Sequence, residues 1–459
     1  MNAPYDRPPH VPYDPLTAAS PGHGLDLPPS YWVDTAGPAP ADDGPASAPL
    51  DADVAIVGGG YTGLSCAYHL AQRYGIKAVV LEANRPAWGC SGRNGGFARG
   101  AIGRHGAQKM IDLWGLDTAR NVFQQSLAAV TNIRDMIREG DIDCDAWDEG
   151  HLKLAHRPSR ADALRREAET IARAFEYPTE FLDAATVHAD HIGGTEAHGA
   201  MRIPDALGVH PLKLAHGVLR MARAAGARVH RASPVLGLAK RGATHVLRLP
   251  QGEVTARTVV LATNGYTPEH LHASLGGTLL PVLSHIIVTR PMTADEKARS
   301  HFVTRHVLTD SRNLLYYFRR LPDDRIMFGG RGMIHDVPAG HARQRDFLLA
   351  ELKAKLPALA DITVEHDWYG WVCLTADFVP HVHHVEGDPS LLYGLGYQGS
   401  GVAYGLYAGR QLASRIAGDD RLPAIPPTTT PLPRFPFAAL RRVGQRAAYA
   451  WYRYQDTRP

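Results

Sequence analysis

The sequence predicts an α/β fold of two interleaved domains, and three observations carry the prediction. DVAIV (53–57) and AVVLE (78–82) are short apolar, β-branched runs on either side of a helical pattern, Gly60 to Tyr74, the strand-helix-strand order of a parallel unit. Gly-rich segments at the ends of apolar runs return near 260 and near 395, with other material between them. At 459 residues the chain also exceeds what one hydrophobic core normally supports, so about two or three units are expected.

The bulk composition, 44% hydrophobic and 21% charged, is that of a globular protein. A net charge of +3 without a concentrated Lys/Arg stripe argues against a nucleic-acid partner. Cys66, Cys90, Cys144 and Cys373 show no CxxC or zinc-like spacing, so neither a disulfide framework nor a metal site is expected. The opening MNAPYDRPPHVPYDPL lacks the pattern of a secretory signal, and no run approaches about 18 apolar residues. A cytoplasmic protein without a transmembrane segment is the expectation; oligomeric state is left open.

In chain order, residues 1–50 are rich in Pro, Ala, Gly and Asp and read as an extended surface segment, with Ser30, Tyr31 and Trp32 as a more ordered exception. Helical patterning covers 106–139 and 159–175, and LKLAHGVLRMARAAG (212–226) is an amphipathic helix ending at Gly226. THVLRL, the turn PQGE and VTARTVVL read as a hairpin. Strands are expected at 283–290, 313–319 and 325–330, a helix at 341–356, and then a strand, a Gly-rich turn and a helix from 391. The division that follows is 51–105, 205–270 and 365–420 in one domain, 106–204 and 271–364 in the other, and a tail over 421–459. Its helix carries Leu440, Val443, Ala447 and Trp451 on one side and Arg441, Arg442, Arg446 and Arg453 on or near the other. Packing on the protein's own surface, a partner interface and a membrane-surface anchor are all open uses for it.

Gly58, Gly60 and Gly63 form GxGxxG between the first strand and its helix, and Glu82 ends the next strand. Gly58 permits the tight turn, Gly60 the close approach of a pyrophosphate, and Gly63 the packing of helix on strand. Phosphates then meet free N–H groups at the positive end of the helix dipole. Glu82 accepts from ribose hydroxyls and repels a ribose phosphate, which disfavours an NADP-type ligand.

WGCSGRNGGFARG (88–100), LATNGYTP (261–268) and LGYQGSGVAYG (395–405), following that GxGxxG, resemble the D-amino-acid oxidase-like (DAO) family of FAD-dependent oxidoreductases. SGRNGG and the YW pair ahead of the first strand are most similar to its gamma-glutamylputrescine oxidase branch. The resemblance implies a Rossmann-type, glutathione-reductase-like FAD-binding domain, a discontinuous α+β substrate domain on a mixed sheet, and the isoalloxazine ring between them. It places Ser91, Gly92, Arg93, Asn94, Gly95 and Gly96 along the pyrophosphate and flavin edge, and consecutive small residues suit such an approach, with Arg93 supplying charge. It further places Val235 at the adenine, Thr263, Asn264 and Gly265 at the ADP moiety, and Gly396, Gln398, Gly399, Ser400, Gly401 and Val402 before a helix N-terminus facing the flavin pyrimidine, where reduction builds negative charge.

The implied reaction is oxidation of a C–N bond in an amine or amino acid, with hydride passing to flavin N5, imine hydrolysis, and O2 as acceptor giving hydrogen peroxide. His285, Tyr317, Arg319 and Trp371 are the candidate catalytic residues, drawn from PVLSHIIVT, RNLLYYFRR and WYGWVCLT, with Tyr316, Phe318 and Arg312 beside them. Aromatic groups suit a cationic amine and an Arg suits a carboxylate, although alternation on a strand prevents neighbours from sharing one face. HVHH (381–384) offers two histidines on one side of a strand and no third ligand, so metal is not expected.

Two departures bear on the chemistry. Met327 in RIMFGG stands where some related oxidases carry an oxygen-activating Lys, which opens two alternatives: a dehydrogenase passing electrons to a quinone or carrier protein, and a flavin-binding structural or regulatory protein without turnover. Cys373 is off the position that bears covalent flavin in some relatives, so non-covalent FAD is expected.

Overall fold

Uncharged apolar residues make Val54 to Val57 the buried end of a strand, Leu50–Val57, whose first four residues are more open. The computed structural model describes residues 12–47, 49–419, 421 and 423–457; the first part of the predicted N-terminal segment, 1–11, therefore lies outside the described residues. Leu50–Val57 is central in a sheet whose parallel part runs Asp388–Leu395, Gly252–Leu261, Leu50–Val57, Ala78–Leu81, Arg228–His230. His381–Val385 adds an antiparallel edge, and Thr244–Leu249 folds back on Gly252–Leu261 as the expected hairpin. The helices Tyr61–Tyr74, Pro211–Ala224 and Ala403–Ile416, with Leu116–Glu139, share the largest core with one face of this sheet.

The second sheet is mixed and has the order Val364–Leu374, Leu280–Thr289, Ile326–Arg331, Tyr317–Arg320, Val307–Asp310, His151–Leu154, Ala200–Ile203, Glu180–Leu182. Only Val307–Asp310 with His151–Leu154 is parallel. Helix Pro338–Lys355 packs on it, with Leu348 and Leu352 in one core with Phe318 and Phe328. The short ribbon of Phe97–Arg99 with Ala206–Gly208 stands between the sheets.

Four features differ from the sequence expectation. Val364–Leu374, assigned to the first domain, pairs along its length with Leu280–Thr289 and belongs to the mixed sheet. The helical stretch 106–139 breaks at Gly115, whose φ of +77° interrupts the backbone between Ala107–Trp114 and Leu116–Glu139. The strand expected from 313 begins at Tyr317, because the Asp310 carboxylate accepts the N–H groups of Arg312 and Tyr316 and curls the chain into a loop first. Residues 12–47, expected as loose surface chain apart from the ordered Ser30, Tyr31 and Trp32, are tied down elsewhere as well: Gly24 N–H donates to the Ala83 carbonyl, Leu25 N–H to Asn84 Oδ1, and Trp88 Nε1 to the Asp26 carbonyl. Ser30 caps the helix Tyr31–Thr35, which buries Trp32 against Trp368 and His210 with its Nε1 donating to the Asn94 carbonyl. Among the described residues no helix is long and apolar enough to cross a membrane.

Candidate functional site

A cavity of about 620 Å³ runs from the carboxyl ends of the parallel strands to the inner side of the mixed sheet. Its first end is built where strands stop and loops must expose backbone. Gly58 and Gly60, Glu82, Ser91, Arg93, Asn94, Gly95, Val235, Thr263, Asn264, Gly265, Gln398, Gly399, Ser400, Gly401 and Val402 all stand on its wall. Gly63 lies behind it: a Cβ there would come 2.0 Å from the Gly58 carbonyl oxygen, so only glycine lets the helix Tyr61–Tyr74 start beneath the loop. Gly92, Gly96 and Gly396 also sit off the wall, and a Cβ on Gly96 would meet the Val209 carbonyl oxygen at 1.9 Å.

The donors at this end are partly committed. Gly59 N–H donates to Glu82 Oε2 at 2.7 Å and Asn84 N–H to Oε1 at 2.9 Å, which fixes the carboxylate yet leaves a lone pair on each oxygen. Burial raises the pKa of Glu82 and these amide bonds oppose the rise. Ser91 Oγ accepts from Tyr61 N–H and ties the 89–96 loop to the helix start. Among the described residues, no acceptor meets the N–H of Gly60 or Thr62, both on the cavity wall. Gln398, at φ +57°, donates through Nε2 to Thr375 Oγ1 and the Gly396 carbonyl, while its buried Oε1 has no protein partner. Unsatisfied amides at a helix start, an orphaned amide oxygen and a cradle in which side chains would clash fit a phosphate-bearing dinucleotide with a polar ring.

Arg93 and Asn94 serve the loop itself. The Arg93 guanidinium donates to the Trp88 and Tyr369 carbonyls and lies 4.2 Å over the Trp88 ring, contacts that hold it at the cavity wall without neutralising its charge. Asn94 Nδ2 donates to the carbonyls of Cys90 and Ser91, and its Oδ1 accepts from Gly96 N–H.

The other end is lined by Phe97, Arg99, Arg104, Ser284, Ile286, Tyr317 and Arg331. Tyr317 Oη hydrogen-bonds Ser284 Oγ at 2.7 Å, its ring meets Phe97 edge-on, and burial pushes its pKa up to about 12. Arg104 Nη2 donates to the Asn313 carbonyl and Arg331 Nη2 to the Gln398 carbonyl at 3.4 Å. Among the described residues no carboxylate pairs with Arg99, Arg104 or Arg331, and burial lowers the pKa of Arg99 and brings that of Arg104 down to about 10. Three cations thus converge on one end of a cavity with donors to spare. Sequence reasoning missed them, although Arg99 lies inside the quoted SGRNGGFARG.

Three expected catalytic residues are off the wall. His285 points away from the cavity that its neighbours Ser284 and Ile286 face, and its Nε2 lies 3.2 Å from Asp367 Oδ2. Trp371 alternates in the same way with Gly370 and Val372, and its ring packs under Arg442. Arg319 shares the Tyr317 side of its strand but donates to the carbonyls of Gly95 and Val209 below the loop. Arg312 is bound to Glu196 and Asp310, and Tyr316 and Phe318 pack in the second core. His381 and His383 do alternate with Val382, but His381 is bound to Asp377; among the described residues no group of three potential ligands could hold a metal.

The chain is similar to known proteins in sequence and in fold. The chain is 32% identical over 393 residues to the gamma-glutamylputrescine oxidoreductase of Escherichia coli strain K12, spanning 84% of this chain and 88% of that protein. It is 26% identical over 381 residues to a glycine oxidase of Bacillus licheniformis, covering 80% and 93%. The fold superposes on the crystal structure of glycine oxidase from Geobacillus kaustophilus with a TM-score of 0.67 at 21% identity, covering 83% of this chain and 99% of that one. Residues 53–415 match the family described as DAO, FAD dependent oxidoreductase, and the chain belongs to that family.

Proposed function

We propose that the protein oxidises a C–N bond in a small amine that also carries a carboxylate, as amino acids and gamma-glutamyl amines do. The observation that carries this reading is the pairing, in one cavity, of a dinucleotide cradle with the carboxylate-free cations Arg99, Arg104 and Arg331. FAD, when bound, would supply the acceptor for the hydride leaving the carbon attached to nitrogen, and O2 would take the electrons on to hydrogen peroxide. The chain's own residues bind, orient and tune. Arg99 and Arg104 hold the carboxylate through charge-assisted hydrogen bonds, and in a desolvated site the same cations disfavour an ammonium, so that the neutral amine is retained. Tyr317 and Phe97 wall the reacting end and exclude water. The turn 398–402 leads into helix Ala403–Ile416, whose N-terminus would favour negative charge on a bound flavin. Cys90, the cysteine on the wall, donates its thiol to the Trp371 carbonyl and is pushed up to about 12 by burial, which suits non-covalent FAD.

One observation favours a second reading, in which electrons pass to a quinone or carrier. The fully buried thioether of Met327 lies against Gly95, an uncharged group beneath the loop. A panel of amino acids, gamma-glutamyl amines and their decarboxylated analogues, mixed anaerobically with yellow protein, tests substrate class: bleaching by the acids and weak response to the analogues is expected. Equal response to both removes the role given to the arginines, and colourless protein removes FAD. Peroxide formed in air one-for-one with substrate separates oxidase from dehydrogenase.

A further inference from the structure

The last helix, Arg441–Thr457, packs with its polar side inward. Arg441, Gln445 and Tyr449, spaced four apart, are its buried residues. Arg441 is bound to Glu269 and the Leu279 carbonyl, Arg442 to Asp14 and the Pro281 carbonyl, and Asp456 to the N–H groups of Asn313 and Leu314. These charge-assisted contacts at both ends fix the rotation of the helix about its axis. The opposite side is left in solvent: Leu440 is 57%, Val443 56%, Trp451 53% and Tyr454 48% exposed, preceded by Phe437 at 84%. Ala447 and Ala450, both exposed, complete an unbroken apolar stripe at helical spacing.

The charge around the stripe has one sign. Arg434, Arg446 and Arg453 are exposed, and among the described residues no carboxylate pairs with any of them. Arg446 reaches His335 and Arg453 the Gly332 carbonyl. The one acidic residue of the helix, Asp456, is consumed by Asn313 and Leu314. A second copy docked on this face would set arginine against arginine, whereas an anionic surface complements it. A helix of 17 residues with an aromatic pair beside arginines suits lying in the plane of a lipid headgroup region, where apolar stems enter and charged heads stay wet.

We infer that the outward face of Arg441–Thr457 seats on an anionic lipid surface and holds the enzyme there peripherally. The inner side of the same helix grips Asn313, on the cavity wall, and Arg453 at its exposed edge reaches the Gly332 carbonyl, next to Arg331, so the seat sets the arginine-lined end of the cavity near the bilayer. Flotation of the full FAD-loaded chain with vesicles tests it. Binding is expected to phosphatidylcholine vesicles carrying phosphatidylglycerol, weakening as salt rises, with little binding to phosphatidylcholine alone. Arg446→Gln with Arg453→Gln is expected to weaken binding on the order of thirtyfold. Val443→Glu with Trp451→Glu is expected to abolish it while leaving flavin content and turnover of a soluble substrate unchanged. No binding of the unaltered chain to anionic vesicles at low salt would overturn the inference. So would a dimer in sedimentation velocity that Val443→Glu with Trp451→Glu dissolves, since the face would then join two copies.

Discussion

At Gly63 one methyl group decides whether helix and loop can meet. Gly63→Ala puts a Cβ 2.0 Å from a backbone oxygen, and backbone cannot swing aside as a side chain can. Purified G63A is expected to hold less than half the flavin per chain and to be destabilised by about 1–3 kcal/mol, read from flavin absorbance and urea midpoint. Arg99→Met removes one cation of the Arg99, Arg104 and Arg331 end of the cavity; KM for a carboxylate-bearing substrate is expected to rise roughly ten- to a hundredfold, with a smaller change for its decarboxylated analogue. Steady-state kinetics on the pair of substrates reads that difference. The residues misjudged from sequence fall into a pattern of parity: His285 and Trp371 each stand one position from groups that do face the cavity, and a strand reverses its side at every step. Glycines and the acidic Glu82 were legible because backbone geometry dictates them locally. Which side of a mixed-sheet strand faces the cavity depends on what packs against it.

The helix Tyr31–Thr35 and the tail helix show how remote elements brace the cavity. Trp32, 1% exposed, supports the 93–96 loop from below through its bond to the Asn94 carbonyl and its contact with Arg319. Trp32→Ala is expected to lower stability by about 3–5 kcal/mol and to release FAD on dilution, measured by denaturant unfolding and by flavin fluorescence. Asp456→Ala strips Asn313 and Leu314 of an acceptor; the loop 311–314 loosens, KM rises and flavin content is unchanged, which separates this effect from global damage. The aromatic pair at 31–32 stood out in a Pro-rich stretch, yet nothing local says which loop it supports. The tail helix was legible as amphipathic. That its polar side would turn inward was not, since propensity and periodicity are the same for either rotation.

Across the whole molecule, buried histidines set the response to acid. Burial depresses His69 and His210 to about 3 and His156, His216 and His306 to about 4. Each is neutral in the fold and takes up a proton on unfolding below pH 6.5, so the unfolded state binds more protons and stability falls as pH drops from 6.5 toward 4. At most about 1.4 kcal/mol per histidine per pH unit is at stake. Thermal unfolding at pH 7.5, 6.5, 5.5 and 4.5 is expected to give a Tm flat between the first two and falling steadily thereafter; a Tm that rises on acidification contradicts the assignment. The sequence by itself determined the parallel strand-helix-strand unit, the glycine cradle and the family, because each rests on backbone conformations only certain residues allow within a few positions. Tertiary structure alone decided that Val364–Leu374 joins the mixed sheet, that Arg99, Arg104 and Arg331 converge, and that the tail helix shows its apolar side to solvent. Those outcomes depend on pairing partners and opposing charges far away in the chain, which no local pattern encodes.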